Sequence, residues 1–137
     1  LPEPTTSLEA VLLDMDGTLV DTEPSWIAAE MELVEWFGGS WSHEQALGLV
    51  GQDLMHSAHR LHHEAGVALA PHAIVEALLE SVVAQVRREV PWRPGARELV
   101  ADLRRARVPT ALVTMSWPSR AATVLAALPA TLDTVVT

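Results

Sequence analysis

The chain has 137 residues, 49% of them hydrophobic, and a formal net charge of −9. That length suffices for one modest domain, or one and a half small ones, with a real apolar core. The acidic balance argues against nucleic-acid or anionic-membrane partners. Cysteine is absent, which excludes disulfides, thiolate zinc sites and cysteine nucleophiles.

The charge is unevenly spread. Residues 1–50 carry ten acids and no Lys or Arg, whereas residues 51–137 carry eight acids and nine arginines. Lysine is missing altogether. No stretch of about 18 apolar residues lacks charge, so no membrane-spanning helix is expected. The opening segment LPEPTTSLEA has neither a basic region nor an apolar one, so it does not read as a secretory signal. Without an initiator Met it reads as a trimmed end or the inside of a longer chain.

In chain order, residues 1–8 form a loose Pro/Thr/Ser lead-in. An apolar run over 9–14 predicts a first strand, ending in Asp14-Met15-Asp16-Gly17-Thr18. A helix follows, with Asp21 or Thr22 as its cap and Pro24 in its first turn, and it stops at Gly38-Gly39. Its apolar residues Ile27, Met31 and Val34 fall at i, i+4, i+7. A short helix begins at Ser42, and a third is capped by Asp53 and stopped by Gly66. A fourth opens at Pro71, with Ile74, Leu78, Val82 and Val86 at every fourth position.

The pattern then changes. An amphipathic helix is expected from about Gly95 to Arg107, a buried strand over 110–115, a helix opening near Pro118, and a third strand over 132–137. Alternating strands and helices predict an α/β fold with a parallel sheet. The expected organisation is a core segment 1–21, a four-helix insert 22–90, and core continued over 91–137.

Two carboxylates at the end of a buried strand need a reason. Ligands of parallel sheets bind beyond the carboxyl ends of the strands. There Asp14 has the chemistry of a nucleophile and Asp16 that of a general acid and base. Gly17 lets the backbone turn and lets an anion approach the amides. Thr114, at the tip of the second strand, offers a hydroxyl to a phosphate oxygen, and the helix starting near Ser116 adds amide donors. Facing carboxylates and an anionic substrate call for a hard divalent cation, Mg²⁺.

The motif DMDGT after an apolar run, followed by LVDTEP, resembles the first motif of the haloacid dehalogenase superfamily. ALVTMS, ending in Thr114, is similar to its second motif. The helical insert resembles the small cap of the phosphoglycolate phosphatase and β-phosphoglucomutase group. The resemblance spans residues 9–137. It implies a Rossmann-like core with a cap domain and a cytoplasmic, Mg²⁺-dependent phosphatase acting on small phosphorylated metabolites through a phospho-Asp14 intermediate. It further implies that Asp16 is the acid/base and that the Asp14 side chain and the Asp16 carbonyl hold the metal. Thr114 would hold the transferring phosphoryl group, and Gly17, Thr18 and Ser116 are further candidates for contacting the phosphate. A phosphomutase with the same intermediate is the near alternative, and a non-catalytic binding module the distant one. The superfamily also places a Lys or Arg and a further acidic motif on later segments. The sequence ends at Thr137 before either, so it reads as the front portion of a longer enzyme, weak or inactive on its own, with its first strand an exposed apolar edge.

Other features have plainer readings. An EF-hand counted from Asp14 would need Gly and Glu where Leu19 and Ser25 stand. His56, His59, His62 and His63 read as surface histidines, and Trp26, Trp36, Trp41 and Trp92 as core or domain-seam packing. Trp117 sits beside the second motif, at the edge of the expected pocket. Gly51–Asp53 is a candidate substrate-reading loop. Arg104, Arg105 and Arg107 form the solvated end of a helix, where positive charge suits the dipole.

Overall fold

The computed structural model describes residues 7–137, so most of the expected lead-in lies outside the described residues. In chain order the elements are β1 (Val11–Leu13), α1 (Glu23–Trp36), α2 (His43–Leu47), α3 (Leu54–Glu64), α4 (Pro71–Arg88), α5 (Ala96–Arg105), β2 (Thr110–Val113), α6 (Pro118–Ala126) and β3 (Thr134–Val136). They fall into two compact units. One comprises the described residues up to Asp21 together with Val90–Thr137, and the other is Thr22–Glu89.

The first unit is α/β. Its three strands form one parallel sheet in the order β1-β2-β3. Leu13 stands beside Leu112, and Leu112 beside Val135. Alternation along each strand sends these side chains to one face, where Leu13 and Leu112 are buried. The opposite face carries Leu12 and Val136, both exposed. Among the described residues β1 is an edge strand, and Leu12 is 72% exposed on it. Ala96, Val100 and Leu103 of α5 and Ala121 and Val124 of α6 add to this core, with Met15, Leu19 and Val20 of the loop after β1. The strands are shorter than the apolar runs suggested, because only three or four residues of each run join the ladder.

The second unit is all-helical. α4 packs against both α1 and α3, and α1 against α2. Ile74, Leu78, Val82 and Val86 form the buried stripe of α4. Ser42 and Gln45 make a reciprocal capping box on α2, with the Gln45 N–H donating to Ser42 Oγ at 3.1 Å. Asp53 Oδ1 accepts from the amides of Met55 and His56 at 3.0 and 3.1 Å. Thr22 precedes α1 without making a side-chain cap. Gly39 is required by space: a Cβ there would lie 2.8 Å from the Ala65 carbonyl oxygen and 2.9 Å from Val34.

Two expectations for α1 need correction. Met31 is exposed, and Glu30 takes an inner position with Ile27, Ala29 and Val34. Trp36 is not packed but 85% exposed at the helix end. The periodicity of α1 is weak enough that a charged residue shares its buried stripe.

Candidate functional site

The segment after β1 turns tightly back on itself. The amides of Thr18, Leu19 and Val20 all donate to the Met15 carbonyl, and the Gly17 N–H donates to the Val20 carbonyl at 2.8 Å. Gly17 holds a left-handed backbone at φ 78°, which a side chain would strain. Met15, Leu19 and Val20 are buried. Asp14 and Asp16 flank the buried Met15, and the Asp-x-Asp spacing keeps both carboxylates out of the space Met15 fills, with Asp14 exposed and Asp16 half-buried. Asp14 is exposed, and its Oδ1 accepts from the Met15 N–H at 2.8 Å.

The N–H groups of Gly17 and Thr18 donate within the turn, to Val20 and Met15, and so shape the loop. The Thr18 side chain is exposed beside them.

Thr114 and Ser116 lie just past the end of β2, the strand that neighbours β1. Both are buried. The Ser116 N–H donates to Thr114 Oγ1 at 3.0 Å, which leaves the threonine proton to act as a donor elsewhere. The Ser116 hydroxyl donates to Asp16 Oδ2 across 100 residues of sequence. Ser116 is therefore a partner of Asp16 rather than the cap of α6, a position held by Trp117 without a side-chain bond. Trp117 itself is half exposed.

The sequence reading missed Arg120. It sits in the first turn of α6, and its side chain is only 7% exposed. Its Nη2 donates to Asp16 Oδ2 at 2.5 Å and also to Ser116 Oγ. Burial lowers the guanidinium pKa, and the Asp16 charge works against that. The available signal was the spacing: Arg120 lies four residues after Ser116, as the only charge in the otherwise uncharged stretch SWPSRAATVLAAL.

Of the six residues expected at the site, Asp16 and Ser116 meet directly, and Thr114 joins through the Ser116 backbone. Asp14, Gly17 and Thr18 belong to the adjoining turn. A cavity of about 500 Å³ lined by Arg104, Arg107, Val108, Pro109 and Asp133 is not this site, because its residues precede β2 and β3 at the opposite strand ends. The histidines of α3 do not assemble into a metal site. Among the described residues no group of three or more His, Cys, Asp or Glu is placed to hold an ion. His62 Nδ1 lies 2.9 Å from the Leu69 carbonyl oxygen instead.

Fold and site together define an α/β protein with a carboxylate site at the tips of parallel strands and a helical unit between its first and second strands. The chain belongs to the haloacid dehalogenase-like hydrolase family, which matches residues 8–136. Comparison with curated proteins finds no match. Among solved structures, a candidate β-phosphoglucomutase from Thermotoga maritima is similar with a TM-score of 0.80 and 24% identity, over 93% of this chain and 60% of that one. CbbY from Rhodobacter sphaeroides, solved with phosphate, is similar with a TM-score of 0.75 and 26% identity, over 94% of this chain and 63% of that one. A β-phosphoglucomutase from Clostridium difficile shares the fold with a TM-score of 0.65 and 17% identity, over 94% of this chain and 61% of that one. The chain thus spans about three fifths of the length of these proteins. Among the described residues no helix is long and apolar enough to cross a membrane.

Proposed function

We propose that this chain carries the nucleophile half of a Mg²⁺-dependent phosphatase acting on small phosphate monoesters. The carrying observation is the pair Asp14 and Asp16 around the end of β1, with Thr114 and Ser116 past the end of the neighbouring β2, in a chain of this hydrolase family. CbbY, a relative in fold, was solved with phosphate, which supports a phosphorylated ligand.

In the first step an Asp14 carboxylate oxygen attacks phosphorus. The P–O bond to the leaving group breaks, and the leaving alkoxide takes a proton from the Asp16 carboxyl. In the second, the Asp16 carboxylate removes a proton from water. The water oxygen attacks phosphorus, the bond to Asp14 breaks, orthophosphate leaves and both aspartates are restored. Thr114 donates its hydroxyl proton to a phosphoryl oxygen, and Ser116 anchors Asp16.

The donor set fits Mg²⁺. Asp14 offers an exposed carboxylate at the strand tip, and Asp16 a partly exposed segment two residues on. A hard cation that keeps several waters needs only one or two such oxygens from the protein. When bound, Mg²⁺ would neutralise charge between the carboxylates and the phosphoryl oxygens. The cytoplasm is the proposed location.

Release of orthophosphate from a panel of small phosphate esters tests this reading. It should require Mg²⁺ and vanish in Asp14→Asn. Transfer of the phosphoryl group to a second hydroxyl of the substrate, with little orthophosphate released, would favour the mutase. Ester binding without turnover would favour a binding module.

A further inference from the structure

Arg120 breaks two local rules at once. Arginine is seldom buried unless it is paired, and this side chain is 7% exposed. A cation in the first turn of a helix opposes the dipole, yet Arg120 is the third residue of α6. Local conflicts of this kind concentrate at functional sites. Here the compensation is visible. One guanidinium nitrogen, Nη2, binds Asp16 Oδ2 and Ser116 Oγ, and the Ser116 hydroxyl binds the same Asp16 oxygen. The three side chains close a triangle joining the turn after β1 to the start of α6. Side chains in a first turn lean toward the helix N-terminus, which is the end that faces the strand tips.

We propose that Arg120 is a positioning residue that fixes the Asp16 carboxyl for proton transfer to the leaving group. This deepens the phosphatase reading and rests on it. A carboxyl held at one oxygen by a buried guanidinium and a hydroxyl keeps one orientation, and proton transfer depends on that geometry. Arg120 touches neither substrate nor metal in this account. It acts through Asp16, with Ser116 as the third corner.

The test uses the intact protein and compares two substrates. Glycerol 2-phosphate has a poor leaving group that needs the Asp16 proton, whereas p-nitrophenyl phosphate leaves with little help. kcat/KM covers the steps through phosphoryl transfer to Asp14 and excludes hydrolysis of the intermediate. In Arg120→Met, kcat/KM should fall about tenfold or more for the alkyl ester and less than about threefold for the aryl ester. Arg120→Lys should recover part of the alkyl rate. Equal losses on both esters, or no loss on either, would overturn the proposal. Should Arg120→Met fail to fold, Arg120→Lys carries the same comparison with smaller differences. Asp14→Asn that retains turnover, or wild type with no turnover at all, would instead mark failure of the phosphatase reading. Arg120 is then judged on the Asp16 ¹³Cγ resonance of the metal-free protein. Arg120→Lys should shift it less than Arg120→Met, and a resonance unmoved in both would refute the contact.

Discussion

The two units bury ionisable groups in opposite ways. In the α/β unit the buried charge is Arg120, which meets a carboxylate at 2.5 Å. In the helical unit the buried group is Glu30, 5% exposed, whose Oε2 accepts no hydrogen bond. Burial pushes the Glu30 carboxyl up to about 7, and the Trp41 indole offsets only part of that. One unit keeps its charge by pairing it, and the other holds its acid's proton up to near neutral pH. The paired group lies at the strand tips beside Asp16 and Ser116, with Thr114 one bond away. Glu30 shares the buried stripe of α1 with Ile27, Ala29 and Val34. A buried charge with converging partners is the better guide to a site.

The sharpest way to break this contrast is at Asp14. Asp14→Asn should cut phosphatase turnover by about a thousandfold or more while leaving the near-ultraviolet circular dichroism unchanged. Asp14 is exposed after its strand, so this substitution should cost little in folding.

Packing comes next. Leu112→Ala, at the fully buried centre of the sheet, should cost about 2–5 kcal/mol in urea unfolding. Leu78→Ala in α4 should cost a similar amount, since it is equally buried.

Glu30 gives a pH signature. Its folded-state pKa of about 7 lies above the ordinary value of 4.5. The folded state therefore holds the proton more tightly than the unfolded state does. The resulting stabilisation is complete below pH 4.5 and is lost as pH rises through 7. Glu30→Gln should remove this slope. Measured by thermal or urea unfolding, it should be more stable than wild type at pH 8, by about 1–3 kcal/mol relative to their difference at pH 4. A wild type with no slope between those limits would mean that the carboxyl reaches water.

The smallest effects lie on the helical surface. Ser42→Ala removes one half of the α2 capping box and should cost about 1 kcal/mol. Glu64→Gln breaks only the exposed pair with Arg60 and should leave the unfolding midpoint within error.

Much of the architecture was legible because local chemistry fixed it. Ser42, Asp53, Pro71 and Pro118 mark helix starts by what their side chains or rings do to the backbone. The switch after residue 90 from helical periodicity to alternating strand and helix announced the parallel sheet. Asp14 and Asp16 stood out because carboxylates rarely end a buried run. Other features depend on tertiary partners. Arg120 looks like a surface arginine until the sheet brings Asp16, 104 residues away, against it. The hydrogen bonds of the Gly17 and Thr18 amides are likewise set by how the turn folds back on Met15 and Val20. Trp36 is large and apolar, yet nothing in its own sequence neighbourhood says that its end of α1 is exposed.

The most direct test of the central claim is to find the phosphoryl group on Asp14. The intact protein would be mixed with Mg²⁺ and an ester that it turns over, quenched in acid, and its peptides weighed. A phospho-Asp14 intermediate gives one added phosphoryl group on the peptide containing Asp14, absent from Asp14→Asn. Turnover that continues in Asp14→Asn, with no phosphorylated peptide in wild type, would contradict it.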